Sequence, residues 1–320
     1  MEKDLTLHVS RTTSHVPRPR LLSISTFQMV IFLLTAFTLI AFAANSLLTR
    51  MALDGGFIDP LTFTALRLSS GALILIPVGW LANGRITTRS DLTAVTNGTW
   101  GSAVALFAYA AAFSLAYVSL TTGTGALILF GAVQLTMMSA ALQSGERLGP
   151  IQWLGLLTAL SGLVYLVLPG LAAPDPLGAL LMGVAGVSWG IYSLRGRGAA
   201  SPEAMTAGNF LRAAPLALAL GLMALAWAHW EITGVLLALI SGAITSGLGY
   251  ILWYKALRGL TTSQASVVQL LVPVLAALGG VIFLSELISL RLIIASVLVL
   301  GGVALAVLQR RPSGVKRYKR

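Results

Sequence analysis

The sequence predicts an all-α membrane protein with ten transmembrane helices, arranged as two inverted five-helix repeats with both termini in the cytoplasm. Hydrophobic residues make up 57% of the 320 residues and charged residues only 10%, whereas a soluble domain carries about 25% charged residues. Apolar runs of about 20 residues, long enough to cross the hydrocarbon core as a helix, recur along the chain. The stretch Thr121 to Leu168 also resembles, without a gap, the stretch Thr261 to Leu308.

Each apolar run is predicted to be a helix. Lipid offers no partner for a backbone N–H or C=O group, so a spanning segment must satisfy these groups within itself. Asp59-Pro60 and Ser201-Pro202 each place a capping side chain before a proline, which is typical of a helix start. The ten spans are predicted at residues 28–48, 60–83, 100–119, 122–143, 150–168, 177–194, 202–227, 232–254, 262–284 and 290–308.

Two repeats and two tails account for the chain. We expect residues 1–26 to form a disordered basic cytoplasmic tail, 27–170 the first five-helix repeat, 177–309 the second repeat, and 310–320 a second basic cytoplasmic tail. With both termini inside, most of the 21 Lys and Arg residues lie on the cytoplasmic side, as the positive-inside rule requires. Because five is odd, the second repeat must be inverted, a transporter design with its site near mid-membrane.

The charge and the residue types exclude several classes of protein. Lys and Arg at the cytoplasmic ends of the spans explain the net charge of +11, so we expect no nucleic-acid partner. The chain has no cysteine, and its three histidines are His8, His15 and His229. We therefore expect no metal site, no cofactor and no catalytic residue. The expected partners are a small-molecule substrate and the lipid bilayer, and the expected state is a monomer or weak homo-oligomer.

Several motifs resemble one family of membrane proteins. Tyr254-Lys255-Ala256-Leu257-Arg258, Pro273-Val274-Leu275-Ala276-Ala277 and Leu284-Ser285-Glu286 resemble the duplicated module of the EamA-type exporters in the drug/metabolite transporter (DMT) superfamily. Ser188-Trp189-Gly190 resembles the opening span of that module. The resemblance implies ten helices in the bacterial inner membrane, alternating access, and export of small metabolites, among which aromatic and hydrophobic amino acids are prominent.

The first half departs from this family pattern at two places. Val133 stands where the second half has Pro273, and Phe42 stands where it has Trp189. Span 1 nevertheless aligns with span 6, because the motif N-S-L-x-x-R that begins at Asn45 can be laid on Y-S-L-x-x-R in span 6.

Polar and aromatic residues in the middle of the spans are the candidate substrate ligands. A substrate pocket needs a few polar groups among apolar and aromatic walls. The alternative is that each polar group only joins a neighbouring helix. The candidates for substrate binding are Asn45, Tyr109, Gln134, Trp189, Tyr192, Ser246, Tyr250 and Gln269.

Two arginines, two glycines and one proline are candidates for gating or helix packing. Arg67 lies roughly 10 Å along its helix, so it either reaches the membrane surface, which we favour, or faces the transport pathway. Arg212 either acts as a gate or pairing residue or reaches a lipid phosphate. Gly186 and Gly190 would let another helix approach closely, and Pro273 belongs to the family motif of span 9.

The acidic residues fall in tails, in loops and at span ends. Glu146 and Glu286 occupy matching places in the two halves, and an anchoring or helix-capping role is favoured over binding of a coupling ion. A proton or sodium carrier normally has a carboxylate at mid-membrane. The sequence places none there, so we predict uncoupled movement or exchange.

The predicted function is export of small amphipathic metabolites, most favourably aromatic or hydrophobic amino acids, by alternating access at a central cavity. Efflux of drugs or quaternary cations is the alternative, because a fold by itself does not select a substrate. A membrane-embedded enzyme is less favoured, since it would need a cluster of His, Asp or metal at a membrane surface.

Overall fold

A computed structural model describes residues 24–83, 97–143, 145, 149–170, 173–197, 199–260, 265 and 268–308. These residues form helices and no β-strand. In chain order the helices are α1 (Ile24–Asp54), α2 (Pro60–Asn83), α3 (Trp100–Ala116), α4 (Thr122–Gln143), α5 (Pro150–Val167), α6 (Pro176–Gly196), α7 (Pro202–Met223), α8 (Ile232–Leu257), α9 (Leu271–Leu284) and α10 (Leu290–Leu308).

Seven of these helices, α1, α2 and α4 to α8, are long and apolar enough to cross a membrane, whereas α3, α9 and α10 are shorter apolar helices. The chain is therefore a multi-pass membrane protein. That all ten helices cross the membrane remains a prediction.

The predicted helix starts at the two prolines are confirmed. The Asp59 side chain accepts hydrogen bonds from the N–H groups of Leu61 at 3.0 Å and Thr62 at 2.9 Å. The Ser201 hydroxyl accepts from the N–H of Ala204 at 3.4 Å. Each side chain thus satisfies N–H groups that lack a partner within the first turn.

Helix α1 is longer than predicted, because it begins at Ile24 and ends at Asp54. Residues 24–26, which were predicted to belong to the tail, are therefore helical. The prediction placed the boundary where the apolar run begins, but backbone hydrogen bonding continues through polar residues as readily as through apolar ones.

Helix α9 is shorter than the predicted span 9. The described part of that span is helical at 265 and 268–269, turns at Leu270, and resumes as α9 at Leu271. Pro273 accounts for this break. Its ring clashes with the carbonyl group of the residue four places earlier, Gln269, and it has no N–H to donate to that carbonyl.

The helices of the two halves pack on each other in matching pairs. The contact between α3 and α6 corresponds to the contact between α8 and α1. In the same way, the contact between α4 and α6 corresponds to the contact between α9 and α1. The pairs α2–α7 and α5–α10 each join helices of the same order in the two halves. Exchanging the halves therefore reproduces these helix pairs.

Helices α5 and α10 pack through glycines. A Cβ atom on Gly302 would lie 2.5 Å from the backbone nitrogen of Ala159 and 2.6 Å from the carbonyl oxygen of Gly155. A Cβ atom on Gly155 would lie 2.9 Å from the Cβ of Ala306. The two backbones therefore approach each other directly, as small residues permit between membrane helices. A Cβ atom on Gly301, by contrast, would meet nothing within 4 Å.

This contrast predicts opposite effects of alanine at two adjacent positions. Gly302→Ala should lower the midpoint of thermal unfolding in detergent, because overpacking a tight contact costs about 1–3 kcal/mol. Gly301→Ala should leave the midpoint unchanged or raise it, because alanine favours a helix over glycine by about 1 kcal/mol. Equal midpoints for the two variants would contradict the packing described for α5 and α10.

Candidate functional site

Arg67 lies on α2 and its side chain is buried, with an exposed fraction of 1%. The favoured expectation that it reaches the membrane surface is therefore wrong. Helix α2 contacts α3, α7 and α8, and Arg67 faces α3 and α8. Distance from the helix start sets only the depth of a side chain, whereas the neighbouring helices decide whether its direction is inward or outward.

Three neutral hydroxyl groups accept hydrogen bonds from the Arg67 guanidinium. Its Nε donates to Ser246 Oγ at 3.1 Å, and its Nη2 donates to the hydroxyls of Tyr109 at 3.1 Å and Tyr250 at 3.4 Å. The guanidinium carbon lies 5.2 Å from the ring centroid of Tyr109 and 4.9 Å from that of Phe113, within the range of cation–π attraction. Nη1 has no hydrogen-bond partner among the described residues.

Asn45 connects this network to α1. Its Nδ2 donates to the hydroxyl of Tyr109 at 3.3 Å. Its Oδ1 accepts hydrogen bonds from Ser241 at 2.8 Å and Thr245 at 3.1 Å, and Ser246 Oγ lies 3.4 Å from the same oxygen. Residues from α1, α2, α3 and α8 therefore form one buried polar network, which we call the central polar network.

The middle of α8 has the geometry that this network requires. Residues Ser241–Leu248 form a π-helix, in which hydrogen bonds run from i to i+5. Ser241 and Ser246 are five residues apart, so the π-helix stacks them on one face together with Thr245. An α-helix would align residues four apart and turn Ser246 away from Asn45.

Gly242, within the π-helix, lets α8 come close to α2. A Cβ atom at this position would collide with the carbonyl oxygen of Arg67 and the hydroxyl of Ser70. The backbone of α8 therefore lies against the turn of α2 that carries Arg67, which brings Ser246 within hydrogen-bonding distance of the guanidinium.

Aromatic rings surround the central polar network. The ring centroid of Trp189 lies 4.6 Å from that of Tyr250, 5.1 Å from Tyr109, 5.5 Å from Tyr192 and 5.7 Å from Phe42. These separations are those of tilted and edge-to-face aromatic pairs. Trp189 on α6 thus packs against rings from α1, α3 and α8, and rings from both halves of the chain meet here.

A small cavity lies at the centre of these rings. Its volume is about 10 Å³, and its walls include Phe42, Asn45, Tyr109, Trp189 and Tyr250. A single water molecule needs roughly 10–15 Å³ on this measure. A larger molecule can enter only if the surrounding side chains move apart.

Two larger cavities lie at one end of the bundle. We call this end the vestibule end and define it by residues 97–99, 195–197, 199–202 and 257–260. One cavity has a volume of about 250 Å³ and the other about 360 Å³, and Arg197 lines both. Tyr254 lines the first. Its ring centroid lies 6.5 Å from that of Tyr192, so a row of rings leads from this cavity to Trp189.

The opposite end, which we call the latch end, includes residues 54–59, 117–122, 229–231 and 285–289 and is held together by charged groups. Arg50 lies 2.6 Å from the Asp54 carboxylate and 3.5 Å from that of Glu286. Arg50 Nη1 also donates to the carbonyl oxygens of Tyr117 and Val118, each at 3.0 Å.

Glu286 caps the first turn of α4. Both of its carboxylate oxygens accept from the N–H of Thr122 at 2.9 Å, and one accepts from the Thr122 hydroxyl at 3.0 Å. The favoured capping role of Glu286 is thereby confirmed. A carboxylate at a helix N-terminus is also favoured by the helix dipole. Glu146, its counterpart in the first half, lies outside the described residues.

A second contact at the latch end joins the α1–α2 and α7–α8 connections. The N–H of Asp59 donates to the carbonyl of His229 at 2.8 Å, and the N–H of Glu231 donates to that of Phe57 at 2.7 Å. Together these bonds form a single antiparallel bridge. The connection between the halves at this end thus uses backbone groups as well as charges.

Six of the eight predicted ligands come together in the structure. Asn45, Tyr109, Ser246 and Tyr250 belong to the central polar network, and Trp189 and Tyr192 to the rings around it. Whether they bind a substrate remains a prediction.

Among the described residues, neither of the other two predicted ligands forms a hydrogen bond to that network. Gln134 is 1% exposed, and its Nε2 has no hydrogen-bond partner among the described residues. Gln269 donates to the carbonyl of Ala265 in its own segment at 3.2 Å.

The other predicted packing and gating residues include Gly186 and Gly190 on α6 and Arg212 on α7. A Cβ atom on Gly186 would lie 2.6 Å from the Cβ of Ala132, and one on Gly190 would lie 2.9 Å from that of Thr136, so α6 and α4 are in close contact along this face. Arg212 is half-buried and donates to the carbonyl of Gly208 in its own helix at 2.9 Å.

Two ring residues of the site were not predicted, although the repeat could have indicated them. Phe42 aligns with Trp189 between spans 1 and 6, and the shift of 140 residues between the halves aligns Phe113 with Trp253. Ser241 and Thr245 had no comparable sequence signal, because their approach to Asn45 depends on the π-helix.

Among the described residues, no group of three or more His, Asp or Glu side chains is placed to hold a metal ion. No salt bridge links Arg67 to any carboxylate in that part of the chain; the pairs present are Arg50–Asp54, Arg50–Glu286, His229–Glu231 and Lys255–Glu203.

Comparison with known proteins identifies a family profile that matches the chain twice. The profile of the EamA-like transporter family matches residues 24–168 and again residues 176–308. A solved crystal structure with 24% sequence identity superposes with a TM-score of 0.58 and covers 87% of this chain and 99% of that chain. This likeness shows a shared fold.

Relatives among characterised and uncharacterised proteins cover most of the chain. An uncharacterised protein of Pseudomonas aeruginosa is 51% identical over 278 residues, which are 87% of this chain and 94% of that protein. The threonine/homoserine exporter RhtA of Escherichia coli is 28% identical over 258 residues, 79% of this chain and 84% of its own. The uncharacterised transporter YoaV of Bacillus subtilis is 22% identical over 254 residues, which are 77% of this chain and 86% of that protein.

The contacts at the latch end predict that two acids near helix starts, Glu286 and Glu231, contribute differently to thermal stability. Glu286→Ala should lower the midpoint of thermal unfolding in detergent, because an unsatisfied N–H at the start of α4 and the lost charge contacts cost about 1–3 kcal/mol. Glu231→Ala is the matched control, since the Glu231 side chain is 55% exposed and forms no capping hydrogen bond at the start of α8. Equal shifts in the two variants would contradict the role assigned to Glu286.

Proposed function

Since the chain belongs to the EamA-like transporter family, we propose that it exports small amphipathic metabolites, most favourably amino acids with aromatic or hydrophobic side chains, across the bacterial inner membrane. The observation that carries this proposal is the buried central polar network of Arg67, Asn45, Tyr109, Ser246 and Tyr250. It combines hydrogen-bonding groups with aromatic walls, as a small-molecule site requires.

The proposed architecture is two inverted repeats with both termini in the cytoplasm. The double match of the family profile and the matching helix pairs of the two halves support it. Binding sites of such transporters lie near mid-membrane, between the repeats. The make-up of the central polar network supports such a site, because α1, α2 and α3 belong to the first half and α8 to the second.

Alternating access is the proposed mechanism. The vestibule end, which would face the cytoplasm, has cavities of about 250 and 360 Å³, whereas the latch end is joined by Arg50, Glu286 and the Asp59–His229 bridge. Export would require the rings around Trp189 to part, the vestibule end to close, and the latch end to separate. The ion pair at Arg50 would then form and break in each cycle.

Uncoupled movement or exchange is the proposed mode of transport. A carrier that moves protons or sodium ions usually has a carboxylate within the membrane. The described acids that form ion pairs lie at the latch end or, for Glu203, at the vestibule end, and the buried charged residue among the described positions is Arg67. Among the described residues, therefore, no acid of the central polar network is available for a proton to neutralise.

Efflux of quaternary cations is the second candidate, since aromatic faces attract cations and Trp189, Tyr250 and Phe42 lie together. The guanidinium of Arg67 opposes it, because two like charges in a low-dielectric site repel strongly. Amino acids therefore remain the favoured substrates.

Counterflow in proteoliposomes tests this function. Purified protein would be reconstituted with unlabelled amino acids, quaternary cations or sugars inside, and uptake of labelled compounds would be followed with and without proton and sodium gradients. We expect trans-stimulation by hydrophobic amino acids without a gradient. Stimulation only by quaternary cations would favour drug efflux, and the absence of any uptake would contradict the proposal.

A pair of tyrosine variants tests the place of the site. Tyr109→Phe removes the hydroxyl that accepts from Arg67 and Asn45, and a hydrogen bond to a charged group contributes about 1.5–3 kcal/mol. We expect counterflow to fall about 10-fold or more. Tyr165→Phe makes the same change on α5, where the ring lies 5.7 Å from the guanidinium carbon of Arg291, and should leave counterflow unaltered. Equal rates in both variants would show that the site lies elsewhere.

A further inference from the structure

The guanidinium of Arg67 carries a charge that the described protein does not balance. Its side chain is 1% exposed, its hydrogen-bond acceptors are neutral hydroxyls, and no described carboxylate pairs with it. Burying an unpaired charge in a membrane protein is costly, and such residues are usually functional. A neutral polar or apolar residue of similar size would avoid that cost.

The three nitrogen atoms of this guanidinium differ in how many hydrogen bonds they donate. Nε is held by Ser246, Nη2 makes its bonds to two tyrosine hydroxyls at 3.1 and 3.4 Å, and Nη1 has no partner among the described residues. A carboxylate binds arginine best through two parallel N–H···O bonds. Nη1 has unused N–H groups, and the Nη1–Nη2 edge offers such a pair once an incoming carboxylate replaces the longer bond from Nη2 to Tyr250. The bond from Nε to Ser246 keeps the group in place.

Residues that contact this guanidinium also line the central cavity. Tyr109, Phe113 and Tyr250, which contact the guanidinium, are also walls of the cavity of about 10 Å³ between Trp189 and Phe42. A molecule that parts these rings therefore reaches Arg67 without having to cross another layer of the bundle.

We propose that Arg67 binds the carboxylate of the transported molecule through its Nη1–Nη2 edge, and that substrates combine one carboxylate with an apolar or aromatic body. The body would pack against Trp189 and Phe42. This inference rests on the proposed transport function and adds the anionic group that a substrate must carry. A phosphorylated substrate would need more positive charge, whereas Arg67 is the buried charged residue of the described chain.

The basic residues of the vestibule end do not carry this inference. Arg195, Arg197 and Arg258 lie there, but the positive-inside rule accounts for basic residues at a cytoplasmic surface whatever the substrate. Arg67 has no such explanation, because it lies within the bundle.

The experiment compares matched ligands that differ only at the acid. Phenylalanine, phenylalaninamide and phenethylamine, and leucine with leucinamide and isopentylamine, would compete against counterflow of the labelled amino acid in the full-length protein. We expect the wild-type protein to prefer each acid over its amide and amine by about 10-fold or more, the contribution of a charge-assisted bond. Thermal stabilisation of the purified protein by each ligand gives an independent reading.

Variants of Arg67 test whether its guanidinium is the group that causes the preference for the acid. Arg67→Lys keeps the charge but loses the two-pronged geometry, so the preference for the acid should persist with weaker binding. Arg67→Gln should abolish the preference, so that acid and amide bind within about threefold of each other. A variant that is merely less folded would lower both affinities and leave their ratio unchanged. Arg291→Gln makes the same change on α10 and should keep the wild-type ratio.

Three outcomes separate the possibilities. A loss of acid preference in Arg67→Gln but not in Arg291→Gln supports the inference. Equal competition by acids and amides in the wild-type protein would overturn it and leave the transport function standing, and this result needs no variant to fold. If no acid, amide, amine or quaternary cation moves or stabilises the wild-type protein, the proposed function and the inference both fail.

Discussion

A buried arginine that must find hydrogen-bond acceptors inside an apolar bundle determines how the centre of this protein is built. Water does not reach the Arg67 side chain, so each donor left unsatisfied costs free energy. Ser246 and Tyr109 accept its bonds from α8 and α3, which fixes the rotation of both helices relative to α2. Asn45 then joins α1 through Tyr109. The most costly side chain of the bundle is thus also the one that brings four helices from both halves together.

The irregular backbone of α8 is a consequence of the same requirement. A π-helix places hydroxyls five residues apart on one face, and Gly242 allows the backbone to approach α2 at Arg67. The helix gives up regular α-geometry so that Ser241 and Ser246 can both reach Asn45. Irregular helical turns are frequent at functional sites, and here the irregularity has an identifiable role in supporting the central polar network.

The two ends of the bundle differ in the interactions that join their helices. Charged groups and backbone bonds join the latch end, with Arg50 and Glu286 connecting residues from the two halves, whereas the vestibule end contains cavities. Between them lie aromatic rings around Trp189, which separate without breaking ion pairs. Under the proposed mechanism, opening toward the latch end must therefore disrupt the contacts of Arg50 and Glu286 between the halves. At the vestibule end, the ion pair between Lys255 and Glu203 joins two helices of the same half.

Hydrophobicity, spacing and capping patterns in the sequence determined the membrane class, the helical content and the helix starts at Asp59 and Ser201, because backbone hydrogen bonds and lipid exposure depend on residues near in sequence. The internal repeat also contained the information that aligns Phe42 with Trp189. Only the tertiary structure decided that Arg67 points inward and that, among the described residues, Gln269 bonds within its own segment instead of joining the central polar network. Spacing along a helix sets depth and periodicity, but which face meets a neighbour depends on contacts between residues far apart in the chain.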